Sequence, residues 1–83
     1  MNPDIIEFNV TIYTKSNCPN CTTAKQLMKH KGLAYTEYWV DANPVAEKKM
    51  QDANIRQMPA IYINNQFVGG LAGLQAALKQ VNL

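Results

Sequence analysis

From Phe8 to Thr14 apolar and polar positions alternate, which puts Phe8, Val10 and Ile12 on one face of a strand and Tyr13 on the other. After the turn-like Lys15-Ser16-Asn17 and the pair Cys18-Pro19 the period becomes helical, with Ala24, Leu27 and Met28 at i, i+3 and i+4. That run stops at Gly32, a residue suited to a helix C-terminal cap. Lys29, His30 and Lys31 complement the dipole of its last turn. Ala34 to Val40 reads as a second strand. Asn43 as N-cap and Pro44 at the first helical position then open a second helix that runs to about Ala53. Ala60 to Ile63 and Gln66 to Val68 form a hairpin about Asn64-Asn65, because Asn tolerates positive φ. Gly69-Gly70 ends that strand, and a last helix carries Leu71, Leu74, Leu78 and Val81 on one stripe.

The element order is β-α-β-α-β-β-α. A strand–helix–strand start implies a right-handed crossover and two parallel strands. The hairpin adds an antiparallel pair, so the expected fold is α/β, a mixed four-stranded sheet with helices on both faces. Ligands of such open sheets collect at the C-terminal ends of the strands, where the loop bearing Cys18 falls. Eighty-three residues allow one domain, spanning 1–83. With 47% apolar and 17% charged residues the composition is that of a globular chain rather than a disordered one. A net charge of +2 gives no reason to expect nucleic acid or an anionic membrane as partner. No apolar run is long enough to cross a bilayer, and the first residues lack the pattern of a secretory signal, so the expected address is the cytoplasm.

Candidate chemistry rests on two cysteines, Cys18 and Cys21. Bridging thiols three positions apart closes a tiny loop and constrains little chain entropy, so a stapling role explains them poorly. Pro19 fits the first helical position, which makes Cys18 the N-cap. The N–H groups of residues 20 and 21 then point at its sulfur, and the helix dipole favours the thiolate. Lys15 adds a nearby positive charge. Cys21 lies one turn further in and is expected to be less exposed. The asymmetry assigns roles: Cys18 attacks a disulfide, and Cys21 resolves the mixed disulfide. Three other uses stay open. They are a zinc site, which would need ligands beyond His30, an iron–sulfur cluster bridging two chains through Cys18, and a pair of inert buried thiols. Trp39 is expected to be a packed strand aromatic. Lys25, Lys29, Lys31, Lys48 and Lys49 are read as solvated helix faces, and Met28 and Met50 as core.

Met58-Pro59 opens the third strand, and Gly69-Gly70 precedes a helix whose first N–H groups lie at Leu71-Ala72. Together, Tyr13-Thr14-Lys15, Cys18-Pro19-Asn20-Cys21, Met58-Pro59 and Gly69-Gly70 resemble the glutaredoxins of the thioredoxin superfamily, over most of the chain from about Val10 to Leu78. The resemblance implies a thioredoxin-like fold of glutaredoxin type, a cis Pro59 and a nucleophilic Cys18 in a redox disulfide with Cys21. It also implies glutathione as co-substrate and reductant, with no bound cofactor or metal. It further implies a glutathione groove: Lys15 and Arg56 on the glycine carboxylate, and Gln57 where the family has Thr. The Met58 backbone would pair with the cysteinyl part. The amides of Gly70, Leu71 and Ala72 would take the γ-glutamyl carboxylate.

Two positions depart from the family pattern. Asn20 stands where C-P-Y-C has Tyr, removing an aromatic wall. Leu71-Ala72-Gly73 lacks the acid that meets the glutathione amino group, a loss of about 1.5–3 kcal/mol for one charge-assisted contact. The expected function is that of a monomeric, glutathione-dependent thiol–disulfide oxidoreductase acting on protein disulfides and glutathione mixed disulfides, with ribonucleotide reductase as a family candidate partner. The alternatives are a glutaredoxin-like redoxin reduced by thioredoxin reductase and an iron–sulfur-binding dimer.

Overall fold

The computed structural model describes residues 9–80. Its elements are β1 (Val10–Thr14), α1 (Pro19–His30), β2 (Tyr35–Trp39), α2 (Pro44–Asp52), β3 (Ala60–Ile63), β4 (Gln66–Gly69) and α3 (Leu71–Gln80). Phe8 and Val81, expected on the strand face and the helix stripe, lie outside the described residues.

The sheet order is β2-β1-β3-β4. β1 runs parallel to β2, with Ile12 opposite Glu37 and Thr14 opposite Trp39. It runs antiparallel to β3, with Ile12 opposite Ile61 and Tyr13 opposite Ala60. The hairpin turns at Asn64 and Asn65, whose φ values of 53° and 68° are the left-handed pair that matches strand twist. β4 then pairs Phe67 with Tyr62 but Gly69 with Ile61, an irregularity that leaves Val68 as an extra residue.

Alternation along β1 divides the core. Val10 and Ile12 pack with Ala24 and Met28 of α1, Ile61 of β3, and Leu74 and Leu78 of α3. On the other face Tyr13 and Ala60 pack with Ala46 and Met50 of α2. Tyr13 also stacks on Tyr38 and meets Tyr62 edge-on, while the Lys49 ammonium lies 5.7 Å above the rings of both Tyr13 and Tyr62. Lys49 is thus part of this aromatic cluster and not only a solvated helix face, because its stem reaches over the sheet.

Helix ends follow local chemistry. Asn43 Oδ1 accepts the N–H groups of Val45 and Ala46, and Pro44 follows at the first position. Past α1, Gly32 adopts φ +74°. The N–H groups of Gly32 and Leu33 then reach back to the Lys29 and Met28 carbonyls.

Candidate active site around the Cys18–Cys21 disulfide

β1 delivers the chain to the sheet edge, and the turn Lys15–Asn17 aims it into α1. Asn17 takes φ 58°, a left-handed conformation that Asn accepts more readily than most residues. The turn is tied to the β2–α2 loop, since the Ser16 N–H donates to Asp41 Oδ2 at 3.0 Å. Hydrogen bonding from Ser16, from its side chain first and its backbone N–H second, holds the Asp41 carboxyl below its ordinary range. Cys18 is the N-cap of α1, with extended φ and ψ, and Pro19 is the first helical residue. The Cys21 N–H donates to Cys18 Sγ at 3.2 Å, whereas the Asn20 N–H is not among the donors to it. One N–H, rather than the two expected, therefore serves the sulfur. It acts together with the positive end of α1, and both favour negative charge there.

Cys18 and Cys21 form a disulfide. Cys18 is partly exposed, while Cys21 is buried at 2% of its surface. An incoming sulfur therefore meets Cys18, and Cys21 is placed to close on it from inside. Met58–Pro59 is a cis peptide, and Met58 O lies 3.5 Å from Cys18 Sγ. Pro59 is buried at the start of β3.

Two hollows flank this centre and share no lining residue. The first, about 520 Å³, brings together Asn20, Arg56, Gln57, Met58 and Pro59 with Gly70, Leu71 and Ala72. At its α3 end the first helical hydrogen bond is Leu74 N–H to Gly70 O, so the amides of Leu71, Ala72 and Gly73 have no acceptor within the helix. Among the described residues Arg56 is the only charged side chain lining it, and no carboxylate does. The second hollow, about 440 Å³, is lined by Cys18 and Cys21 themselves together with Lys15, Lys25 and Trp39. The sequence expected Lys15 and Arg56 to share one subsite. The structure puts them in different hollows, because Lys15 leaves β1 ahead of α1 while Arg56 belongs to the loop before β3.

Three residues of this surroundings were not legible in the sequence. Trp39, expected to be packed, is 44% exposed, since β2 is an edge strand with β1 as its only partner. Lys25, read as solvated, is held in place: its Nζ lies 2.9 Å from Glu37 Oε2 and 5.5 Å from the centre of the Trp39 ring. Glu37 also accepts from the buried Thr14 hydroxyl at 2.7 Å. Burial pushes the Glu37 carboxyl up, but the bonds from Lys25 and Thr14, with the charge of Lys25, outweigh it and leave the group below its ordinary value. Phe67 lines the first hollow at 50% exposure. Reading Trp39 and Phe67 as strand residues and Lys25 as a helix face gave no reason to single out any of the three.

The arrangement supports two successive exchanges. A Cys18 thiolate attacks a substrate disulfide sulfur, breaks the S–S bond and expels the other sulfur as a thiolate, which takes up a proton. The Cys21 thiol loses its proton and attacks Cys18 Sγ, which releases the second substrate thiol and leaves the Cys18–Cys21 disulfide. Two electrons pass from the dithiol to the substrate.

Known proteins agree with this geometry. The sequence model of the glutaredoxin family matches residues 10–68. Glutaredoxin 3 of Escherichia coli K12 is 39% identical over 69 residues, which span 82% of this chain and 83% of that protein. A glutaredoxin of Neisseria meningitidis serogroup A is 42% identical over 67 residues, 78% of this chain and 79% of that protein. Among solved structures, glutaredoxin 1 from Francisella tularensis, complexed with cacodylate, superposes with a TM-score of 0.75 at 30% identity, covering 93% of this chain and all of that one. Glutaredoxin from Brucella melitensis gives 0.69 at 35% identity, covering 88% and 79%. With Cys18 capping α1, Cys21 buried behind it and the thioredoxin-like sheet, this chain belongs to the glutaredoxin family of thiol–disulfide oxidoreductases.

Proposed function

We propose that glutathione is the reductant of the Cys18–Cys21 disulfide and that the reduced protein acts on protein disulfides and on glutathione mixed disulfides, as a monomer. The observation that carries this reading is the first hollow, which meets the reacting sulfur through Met58 and holds the eight positions expected to bind glutathione, Lys15 apart. In it, Arg56 takes the glycine carboxylate, with Gln57 beside it. The Met58 backbone pairs with the cysteinyl part, and the amides of Gly70, Leu71 and Ala72, the last two without an acceptor in α3, face the γ-glutamyl carboxylate. Lys15, in the other hollow, serves the thiolate and the leaving half of the substrate instead. Ribonucleotide reductase is one protein disulfide that such an electron donor serves in this family.

One observation favours a second reading. Among the described residues the hollow has no carboxylate to meet the glutathione ammonium, and a redoxin fed by thioredoxin reductase needs none.

The experiment supplies oxidised protein with two reducing systems in parallel, glutathione with glutathione reductase and thioredoxin reductase alone, and follows NADPH consumption. Steady turnover with glutathione is the expected result. Turnover only with thioredoxin reductase overturns glutathione dependence and installs the second reading.

A further inference from the structure

Phe67 is a large apolar residue left half exposed on an edge strand. Its ring rests against Tyr62 at 5.3 Å between centroids, tilted by 51°, so the sheet side is fixed and the other side is open. Phe67 lines the same hollow as Met58 and Asn20, beside Cys18. Ile55, Met58 and Leu71, all partly buried, extend that apolar surface, and Arg56 is its single charge among the described residues. A segment that reaches Cys18 past Met58 lays the residues beside its cysteine along this wall. Glutathione has nothing to place there, since its cysteine is flanked by glycine and by a γ-linked glutamate and carries no apolar side chain.

We propose that Phe67 is a specificity-determining residue for protein substrates, forming the wall on which an apolar side chain flanking the disulfide cysteine is seated. The inference rests on the proposed use of this hollow by Cys18 substrates and adds the class of protein segment it prefers. Phe67 touches the substrate without taking part in bond exchange. It therefore contributes equally to ground and transition states, and its effect falls on KM more than on kcat.

The test uses two short peptides, each with one cysteine in mixed disulfide with 2-mercaptoethanol, identical except that the residues flanking the cysteine are leucine in one and glycine in the other. In the wild-type protein kcat/KM is expected to be about tenfold higher for the leucine peptide, the scale on which hydrophobic pockets discriminate. In Phe67→Ala that ratio falls close to one, and in Phe67→Leu most of it is kept, the change lying in KM. A wild-type ratio near one overturns the proposal, as does the same ratio in wild type and Phe67→Ala. Turnover of neither peptide, with the protein folded and its dithiol reduced, overturns the reading of the hollow itself and the proposal with it.

Discussion

Cys18 and Cys21 are three positions apart and live in different surroundings. The first caps a helix with its sulfur accepting an N–H, and the second is buried beneath it. The difference is what separates attack from resolution. Cys18→Ser is expected to lower disulfide turnover about a thousandfold or more, as removal of a covalent nucleophile does. Cys21→Ser should retain reduction of a glutathione mixed disulfide, which needs one thiol, and lose reduction of protein disulfides that need two. A coupled NADPH assay on both substrate types reads the split. Glu37 shows residue chemistry of another kind. Its carboxyl titrates below the ordinary 4.5 in the folded protein because Lys25 and Thr14 bond to the charged form. A lowered folded value means that the contribution is present above the ordinary value and is lost as pH falls through the folded one. Glu37→Gln should therefore cost about 1 kcal/mol at pH 7, the upper range for a partly exposed pair. The gap to wild type should close as the pH falls below about 4. Urea unfolding at several pH values measures it, and a gap that persists in acid would exclude the ion pair as its source.

At the scale of elements, caps and turns rest on single residues. Asn43 satisfies two N–H groups of α2, so Asn43→Ala should destabilise by about 1 kcal/mol in denaturant unfolding. Gly73 sets a local preference against a tertiary one. It stands in the first turn of α3, where helix propensity alone favours alanine by about 1 kcal/mol. In the fold a Cβ at this position would overlap the Val68 carbonyl, which is backbone and cannot swing aside. Gly73→Ala should thus destabilise by about 2–3 kcal/mol despite the better helix former. The same measurement decides the sign. The close approach matters for the site, since it docks the α3 N-terminus against β4 at the end of the first hollow. Element types and most boundaries were readable because they depend on neighbours in sequence: the alternation in β1, Asn43-Pro44, Gly32 and Asn64-Asn65. The irregularity at Val68, which sets Gly69 rather than Val68 opposite Ile61, was not, because it is settled by how β4 meets β3 and α3.

Across the whole molecule, one sheet separates two small cores, and the site sits where α1, the loop before β3 and the start of α3 converge. Leu74 is fully buried between α3 and the sheet. Leu74→Ala should cost about 2–5 kcal/mol, a large share of the stability available to a domain of this size. Its melting temperature should fall sharply and turnover at elevated temperature should be lost with it. The local signals in this chain reach far toward function. A proline after a cysteine makes that cysteine an N-cap, and a helix N-terminus favours a thiolate whatever the rest of the fold does, so the capping position of Cys18 and the inward place of Cys21 follow from a few adjacent residues. Packing settled what sequence order leaves open. β2 lies at the sheet edge because β3 occupies the other side of β1, which exposes Trp39 beside the dithiol and lets Glu37 hold Lys25. Lys15 and Arg56 were parted into two hollows for a related reason: they leave different elements that meet only in space. Side-chain neighbours across a sheet or a groove are many residues apart along the chain, and their distances exist only once the strands have chosen partners.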